Sequence, residues 1–405
     1  MSALKSLSLS CAAALVSAAF IAPVSGAETW EQALREGDVI VDLRARYETV
    51  EQGGFDSDAV AFTNRVRTGF ETAPLSATTF LAEAVVIDDL VGDYNSTTNG
   101  LTQYPVVPDP PDVEAINRFT VTNKSLEHTT LTFGRQRIAQ DDQRFVGNVG
   151  WRQFEQTFDA LRAQWAGSKI KTDLTYAAQV NRVFGPDSPQ GKWEGDVVLA
   201  TFAYALPAGT LTVFDYYLDI DGVAAVSTNT IGAKLTGSKP VGGLTGTYAV
   251  AYAQQGEAGA NSADVDADYA LVEGGLNFAK FGVGLGYELL GGDGTTAFAA
   301  PLGTLHVFQG WADKFLATPA AGIEDAYVRV NYPLGKRGRF ASVAATAVFH
   351  DYKADVGGAH FGEELNLQFV ARTERMALTA KYADYRADGL FTDTEKVWVS
   401  VDYSF

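Results

Sequence analysis

"KVWVSVDYSF" (Lys396–Phe405) closes the 405-residue chain. On an extended backbone Val397, Val399, Val401, Tyr403 and Phe405 share one side, and Lys396, Ser400, Asp402 and Ser404 share the other. Trp398 is the exception on the polar side. Such strict alternation means a β-strand with one apolar and one polar face. The question it poses is what covers the apolar face.

The same pattern recurs upstream. Tyr248, Val250 and Tyr252 form one apolar face, and Val283, Leu285, Tyr287 and Leu289 another. Ala326, Val328, Val330 and Tyr332 form a third, with Leu365, Leu367 and Phe369 a fourth. In water each would need a second protein layer. In a bilayer, lipid covers it and the polar face lines a lumen. Hydrophobic residues make up 46% of the chain. Yet no run after residue 27 reaches the ~18 apolar residues of a spanning helix. The terminal aromatic is similar to the assembly signal of bacterial outer-membrane barrels. That implies two partners, the barrel-assembly machinery and outer-membrane lipid.

The N-terminus agrees. Lys5 is followed by "CAAALVSAAFIAPV" (Cys11–Val24) and "SGA" (Ser25–Ala27), the layout of a cleaved secretory leader. Residues 1–27 read as signal peptide and 28–405 as one barrel domain. Cys11 is the only cysteine, so the mature chain has none, unusual for a small secreted domain and normal for a large hydrogen-bonded barrel. The mature charge, 30 basic against 49 acidic side chains, is −19. So acidic a chain is no nucleic-acid binder.

Connections alternate in length. Eight short ones, such as "AGSK" (166–169), "GSKPVGG" (237–243) and "RTER" (372–375), lie between nine longer ones. The longest span 91–115 and 290–321, both candidates to fold into the barrel mouth. The reading is an all-β transmembrane antiparallel barrel of about 18 strands, with 16 the alternative, short periplasmic turns and longer external loops. Only about ten residues precede the first strand at Asp38, too few for an N-terminal plug.

"TLTFGRQRIAQDDQRFVGNVGWRQFEQTFDALRAQW" (Thr130–Trp165) resembles the alginate-export family of outer-membrane barrels. The resemblance rests on "GRQ" at a strand end, "RFVGNVGWRQ" in the following loop and "EQTFDA" entering the next strand. It implies a monomeric 18-stranded barrel whose narrow pore, lined by arginines and acids, conducts an alginate-like uronate polymer outward. The chain departs from the family where a long periplasmic plugging loop would stand, because "RTER" is only a turn. A pore that is open, or gated by external loops, fits better. Uptake of small sugars or organic acids is the alternative function. An enzyme or adhesin on a barrel scaffold is the alternative of another class, and loops of modest length argue against an adhesin.

Alternation also assigns faces. Asp42, Arg44, Arg46 and Glu48 share one side of the first strand, and Arg65, Arg67 and Glu71 one side of the second. A charge facing lipid at mid-membrane costs ~2–4 kcal/mol, so these sides face inward. The expected substrate path is Arg44, Arg46, Arg65, Arg67, Glu83, Arg118, Arg135, Arg144, Arg152, Asp159, Arg162, Arg329 and Lys381. Asp173, Asp215, Glu273, Glu288, Glu364, Arg372 and Asp402 are placed inside by the same logic. The loop 138–152 carries Phe145, Val146, Val149 and Trp151, apolar side chains that call for packing against the inner wall. Arg forks match carboxylate geometry, and arginines flanked by acids can pass a uronate from site to site.

Other signals fail. "DVDAD" (Asp264–Asp268) lacks the Gly and Glu of a calcium loop. "GVGLGYELLGG" (Gly282–Gly292) has Tyr287 where a dinucleotide motif needs Gly. The four histidines show no metal spacing, and no nucleophile falls beside a base. No metal, cofactor or catalytic residue is expected, and the chain does not read as an enzyme.

Overall fold

The structure, a computed structural model, describes residues 26–405. The leader segment lies outside them, apart from Gly26 and Ala27. A one-and-a-half-turn helix, α1 (Trp30–Arg35), comes first, capped by Thr29 Oγ1, which accepts from Gln32 N. It docks on the turn after the second strand, where Ala73 N donates to Ala33 O at 2.9 Å.

Eighteen strands follow. They are β1 (Asp38–Gln52), β2 (Ala59–Glu71), β3 (Thr78–Asp93), β4 (Asp112–Asn123), β5 (Thr129–Gln136), β6 (Thr157–Ala166), β7 (Ile170–Asn181), β8 (Lys192–Leu206) and β9 (Gly209–Ile220). The second half is β10 (Thr228–Val241), β11 (Leu244–Glu257), β12 (Asp266–Asn277), β13 (Gly282–Leu290), β14 (Ile323–Arg337), β15 (Phe340–Lys353), β16 (His360–Arg372), β17 (Met376–Ala387) and β18 (Thr394–Ser404). Each pairs antiparallel with its sequence neighbours. The ring closes where β18 pairs β1 from Asp42↔Ser404 to Gln52↔Thr394. Phe405 N donates to Val41 O at 2.9 Å at the foot of that seam. The expectation of 18 strands holds, and first-strand residue Asp38 is as expected. Eight turns of two to six residues alternate with nine loops of six to thirty-two. The stretch 237–243 is mostly strand, and the turn there is only 242–243.

The two faces separate as period two requires. Leu43 and Tyr47 on β1 are 38% and 43% exposed, while Arg46 and Glu48 between and beyond them are 1% exposed. Leu285 on β13, Val328 on β14, Leu365 on β16 and Val399 on β18 continue the exposed apolar surface around the outside. A closed barrel leaves no sheet edge, and lipid is the solvent this belt requires. Trp398, the exception in the terminal strand, points inward and is 1% exposed.

Bulges interrupt the alternation in informative places. Glu83 pairs Arg118 and Ala84 pairs Ile116, so Asn117 is an extra residue and both Asn117 and Arg118 turn inward. A similar slip in the β6–β7 pair makes Ala178 the extra residue. A β-bulge of this kind re-aims a side chain without ending the ladder.

Candidate functional site

Three long loops fold into the lumen. The segment 137–156, between β5 and β6, crosses it. At one end Arg46 Nη2 on β1 donates to Trp151 O at 2.5 Å, and Arg44 Nη1 donates to Gly150 O at 3.1 Å. At the other end Lys234 Nζ on β10 donates to Asp141 at 2.6 Å and Asp142 at 2.5 Å. In an 18-membered ring β1 and β10 are nine places apart, hence opposite. The loop therefore spans the diameter. Gly147 approaches the second loop so closely that a Cβ there would meet Thr304 Oγ1 at 2.1 Å, which explains the glycine.

The loop 291–322 lies against this crossing segment. Gly147 N donates to Leu302 O at 2.8 Å, and Thr304 N donates to Gln143 O at 2.9 Å. The third loop, 94–111, supplies Asp109. Its carboxylate accepts from Gln153 N at 3.0 Å and stands 3.5 Å from Arg46.

Charge gathers on the wall formed by β1 to β4. Arg44 pairs Asp402 and Arg65 pairs Asp42, each at 2.5 Å. Arg67 lies 3.4 Å from Glu155 of the crossing loop. Arg137 Nε donates to the same Glu155 at 2.6 Å, and Arg118 grips Glu83 through two nitrogens. Asn117 ties Glu83 to Glu155, donating to each at 2.6 Å. Burial pushes the Glu155 carboxyl up, but the Arg67 and Arg137 guanidiniums pull it down to about 2. Several guanidinium nitrogens here are buried and without a hydrogen-bond partner among the described residues: Arg46 Nε, Arg65 Nε and Nη1, Arg67 Nε and Arg152 Nη1. Buried groups without partners are costly, and both carboxylate oxygens of Glu48 on this wall are likewise unpartnered among the described residues.

A second knot joins the two large loops to β17 and β18. Lys381 Nζ donates to His306 Nε2 at 2.6 Å. The proton of His306 is therefore on Nδ1, which donates to Asp313 Oδ1 at 2.8 Å. Arg152 Nη2 donates to Asp313 Oδ2 at 2.9 Å, and Lys396 reaches it at 3.4 Å. Burial and the Lys381 charge hold His306 well below its ordinary value. The Trp151 ring stacks on His306 at 4.7 Å, with the Arg46 guanidinium 4.1 Å from its centre. Lys381 Nζ lies 4.0 Å from the ring centres of both Trp151 and Trp311.

The far wall is different. Phe214, Tyr216, Leu218 and Ile220 on β9 and Tyr269 and Leu271 on β12 point inward and are buried. Phe145 of the crossing loop inserts among them, 5.2 Å from Phe214, 4.9 Å from Tyr269 and 5.7 Å from Phe298. Charged contacts stand there too: Arg144 Nε donates to Glu288 on β13 at 2.6 Å, and Lys234 on β10 holds Asp141 and Asp142.

The residues expected to line the path thus divide. Arg44, Arg46, Arg65, Arg67, Glu83, Arg118, Arg144 and Arg152 are brought together around the crossing loop. Lys381 joins the knot beside them. Arg162 faces inward on β6 but is engaged with Asp173, its Nε 3.0 Å from both carboxylate oxygens. Arg329 faces inward on β14, 5.7 Å from the Tyr327 ring. Arg135 and Asp159 require correction: they are on the outer face. They pair across β5 and β6 at 2.7 and 2.9 Å, beside Phe119, Phe133, Leu161 and Tyr176. Phe133 there is 66% exposed, so this is the lipid side. Bidentate pairing neutralises both charges and allows them outside. Asp215 is also outside, because β9 turns its apolar side inward under Phe145. Residues not anticipated at the site are Asp109, Asn117, Arg137, Glu155, His306 and Asp313. Glu155 stands in the quoted motif, but nothing in the alternation marks a loop carboxylate as a clamp.

Comparison with known proteins adds the following. The model of the family described as Alginate export matches residues 93–196, which include the crossing loop and its flanking strands. No curated protein matches the chain. Among solved structures, Acinetobacter baumannii OccAB4 is 15% identical and superposes with a TM-score of 0.71, covering 95% of this chain and 100% of that one. OccAB3 of the same organism is 15% identical, TM-score 0.72, with 92% and 99% covered. The outer membrane protein opdK of Pseudomonas aeruginosa is 14% identical, TM-score 0.70, with 92% and 99% covered. The chain has the 18-stranded antiparallel barrel fold of these outer-membrane proteins. The likeness to these three is one of fold.

Proposed function

We propose that this barrel is a selective channel for carboxylate-bearing solutes of uronate size, which pass along the arginine wall of β1 and β2. The observation that carries the reading is the asymmetric constriction. A loop crosses the lumen from β1 to β10, and the guanidiniums of Arg44, Arg46, Arg65 and Arg67 cluster on the β1–β2 side of it. A planar guanidinium fork fits a carboxylate, and flanking acids keep the affinity low enough for release. Export of a uronate polymer is the second reading, favoured by the family match over residues 93–196. The crossing loop weighs against it, since a polymer needs a continuous opening past Trp151 and Phe145. Total charge does not decide selectivity. Acids on the outer rim and the short loops, at ~8 Å screening length, act weakly on an ion at the constriction.

The test is reversal potential in planar bilayers under a salt gradient, with liposome uptake of glucuronate against glucose. Wild type is expected to prefer chloride to potassium and glucuronate to glucose. Replacing Arg44, Arg46, Arg65 and Arg67 together by Ala is expected to abolish both preferences. A cation-selective wild type with an unchanged mutant would overturn the reading. Transport of uronate oligomers at a rate independent of length would favour the polymer.

A further inference from the structure

A separate cluster lies on the outside of the barrel, at the rim of β15 and β16. Ligand atoms of Asp351, His360 and Glu363 all lie within 4.8 Å of one another. In a regular strand, residues three apart such as His360 and Glu363 point to opposite faces. Here the register passes from Tyr352↔Gly362 to Lys353↔His360, which makes Phe361 the extra residue of a bulge. Phe361 turns into the barrel and is buried. His360 is thereby carried to the outer face, beside Glu363 and its cross-strand partner Asp351.

Two carboxylates directly opposite on neighbouring strands repel. Lys353 and His360 stand by Asp351, but no cation pairs with Glu363 among the described residues. Arg386, paired across from Glu363, turns to Asp384 at 2.8 Å and Asp393 at 3.8 Å instead. Lys353, half exposed, is 3.5 Å from Asp351. His360 Nδ1 and Asp388 Oδ2 are 2.9 Å apart, a bond in which the imidazole donates. That leaves Nε2 aimed at Asp351 Oδ2, 3.2 Å away. A nitrogen lone pair and a carboxylate oxygen at that distance need a proton or a cation between them. The spacing is close to the ~3.3 Å edge of a tetrahedron whose ligands stand about 2.0–2.1 Å from a metal. A carboxylate behind the imidazole, as Asp388 is here, is the usual second partner of a metal-bound histidine.

We infer that Asp351, His360 and Glu363 form a divalent-metal site on the outer rim, with Asp388 orienting His360. One imidazole with two carboxylates selects a borderline ion of the Zn²⁺ class over the all-oxygen preference of Ca²⁺ and Mg²⁺. Three protein ligands leave a fourth position for water. The site is on the opposite face from the arginine wall, so it stands or falls independently of what the pore carries.

The experiment uses the full barrel, extracted in detergent and stripped with EDTA. Zn²⁺ is titrated calorimetrically, and Co²⁺ is followed by its visible absorption. Wild type is expected to bind one Zn²⁺ saturably and to give a tetrahedral Co²⁺ spectrum. H360A and E363Q are expected to lose that binding. D388N is expected to weaken it ~10–100-fold. K353M is expected to keep or tighten it, because a competing cation is gone. Heat-shifted gel migration of each variant checks that the barrel is intact. No saturable Zn²⁺ binding by wild type, or binding that survives H360A in an intact barrel, would overturn the site.

Discussion

The crossing loop touches two walls of one barrel, and they hold it by different physics. On β1 to β4 the inner face is charged, and the loop is held through Glu155, Gln153 and backbone carbonyls. On β9 and β12 the inner face is apolar and seats the Phe145 ring, while Lys234 on β10 and Glu288 on β13 hold the loop on either side of that seat. The ion-paired side offers directional groups to a solute. The aromatic side offers a dry contact that fixes the loop in place. A lumen organised in this way is asymmetric around its axis, and a permeating carboxylate would follow one wall only.

The comparison is broken most directly by removing what both walls grip. Replacing residues 141–155 with a short Gly–Ser linker is expected to raise single-channel conductance severalfold and to erase ion selectivity. Unchanged conductance would mean that the loop does not set the constriction.

Cutting one grip at a time sharpens it. Glu155→Gln leaves the buried Arg67 and the half-buried Arg137 beside a neutral group, a change worth about 3–5 kcal/mol when a buried pair is broken. Phe145→Ala costs a comparable or smaller amount, about 3 kcal/mol for a partly buried ring. Both are expected to expose the loop to protease and to raise current noise. Only Glu155→Gln is expected to change selectivity as well. The carboxyl of Glu155 is held at about 2, below its ordinary 4.5, although burial alone would raise it. A depressed carboxylate stabilises the seated loop fully above pH 4.5, and that contribution fades as pH falls toward 2. Wild-type noise should therefore stay flat from pH 7 to about pH 5 and rise below it. In Glu155→Gln the noise should already be high at pH 7 and change little with acid. Equal acid sensitivity of the two proteins would place the titrating group elsewhere.

The sequence was most legible where one face met lipid and the other met charge. In β1, β2, β16 and β18 period two alone gives the strand, its faces and its place in a closed ring. It was least legible at bulges and at walls covered by loops. Arg118 broke the alternation because Asn117 is an inserted residue, and both turn inward. Arg135 and Asp159 are expected in the lumen from the quoted motif, yet a bidentate cross-strand pair lets them stand outside. His360 and Glu363 are three apart, so no regular strand would bring them together. The clamp residues Glu155, His306 and Asp313 are on loops, where no periodicity reports burial. Their partners come from distant strands that only the closed barrel brings near.

Asp215 gives the smallest expected effect and the cleanest check of the two walls. The rule that sent Arg44 inward sent Asp215 inward too, yet β9 shows its apolar side to Phe145. A lone carboxylate on the outer face near mid-strand is mildly unfavourable, and acids there cost less than the ~2–4 kcal/mol of a basic residue. Asp215→Leu should therefore stabilise the barrel slightly, by about 1 kcal/mol, read as a small rise in the temperature at which its gel mobility shifts. Reversal potential should not move, because the side chain never faces the solute. Glu83→Leu, a change of the same chemical kind on the charged wall, should strand Arg118 and Arg137 and shift selectivity. If Asp215→Leu altered reversal potential as much as Glu83→Leu, the β9 carboxylate would have to face the lumen. The aromatic seat of Phe145, and with it the contrast between the two walls, would then be wrong.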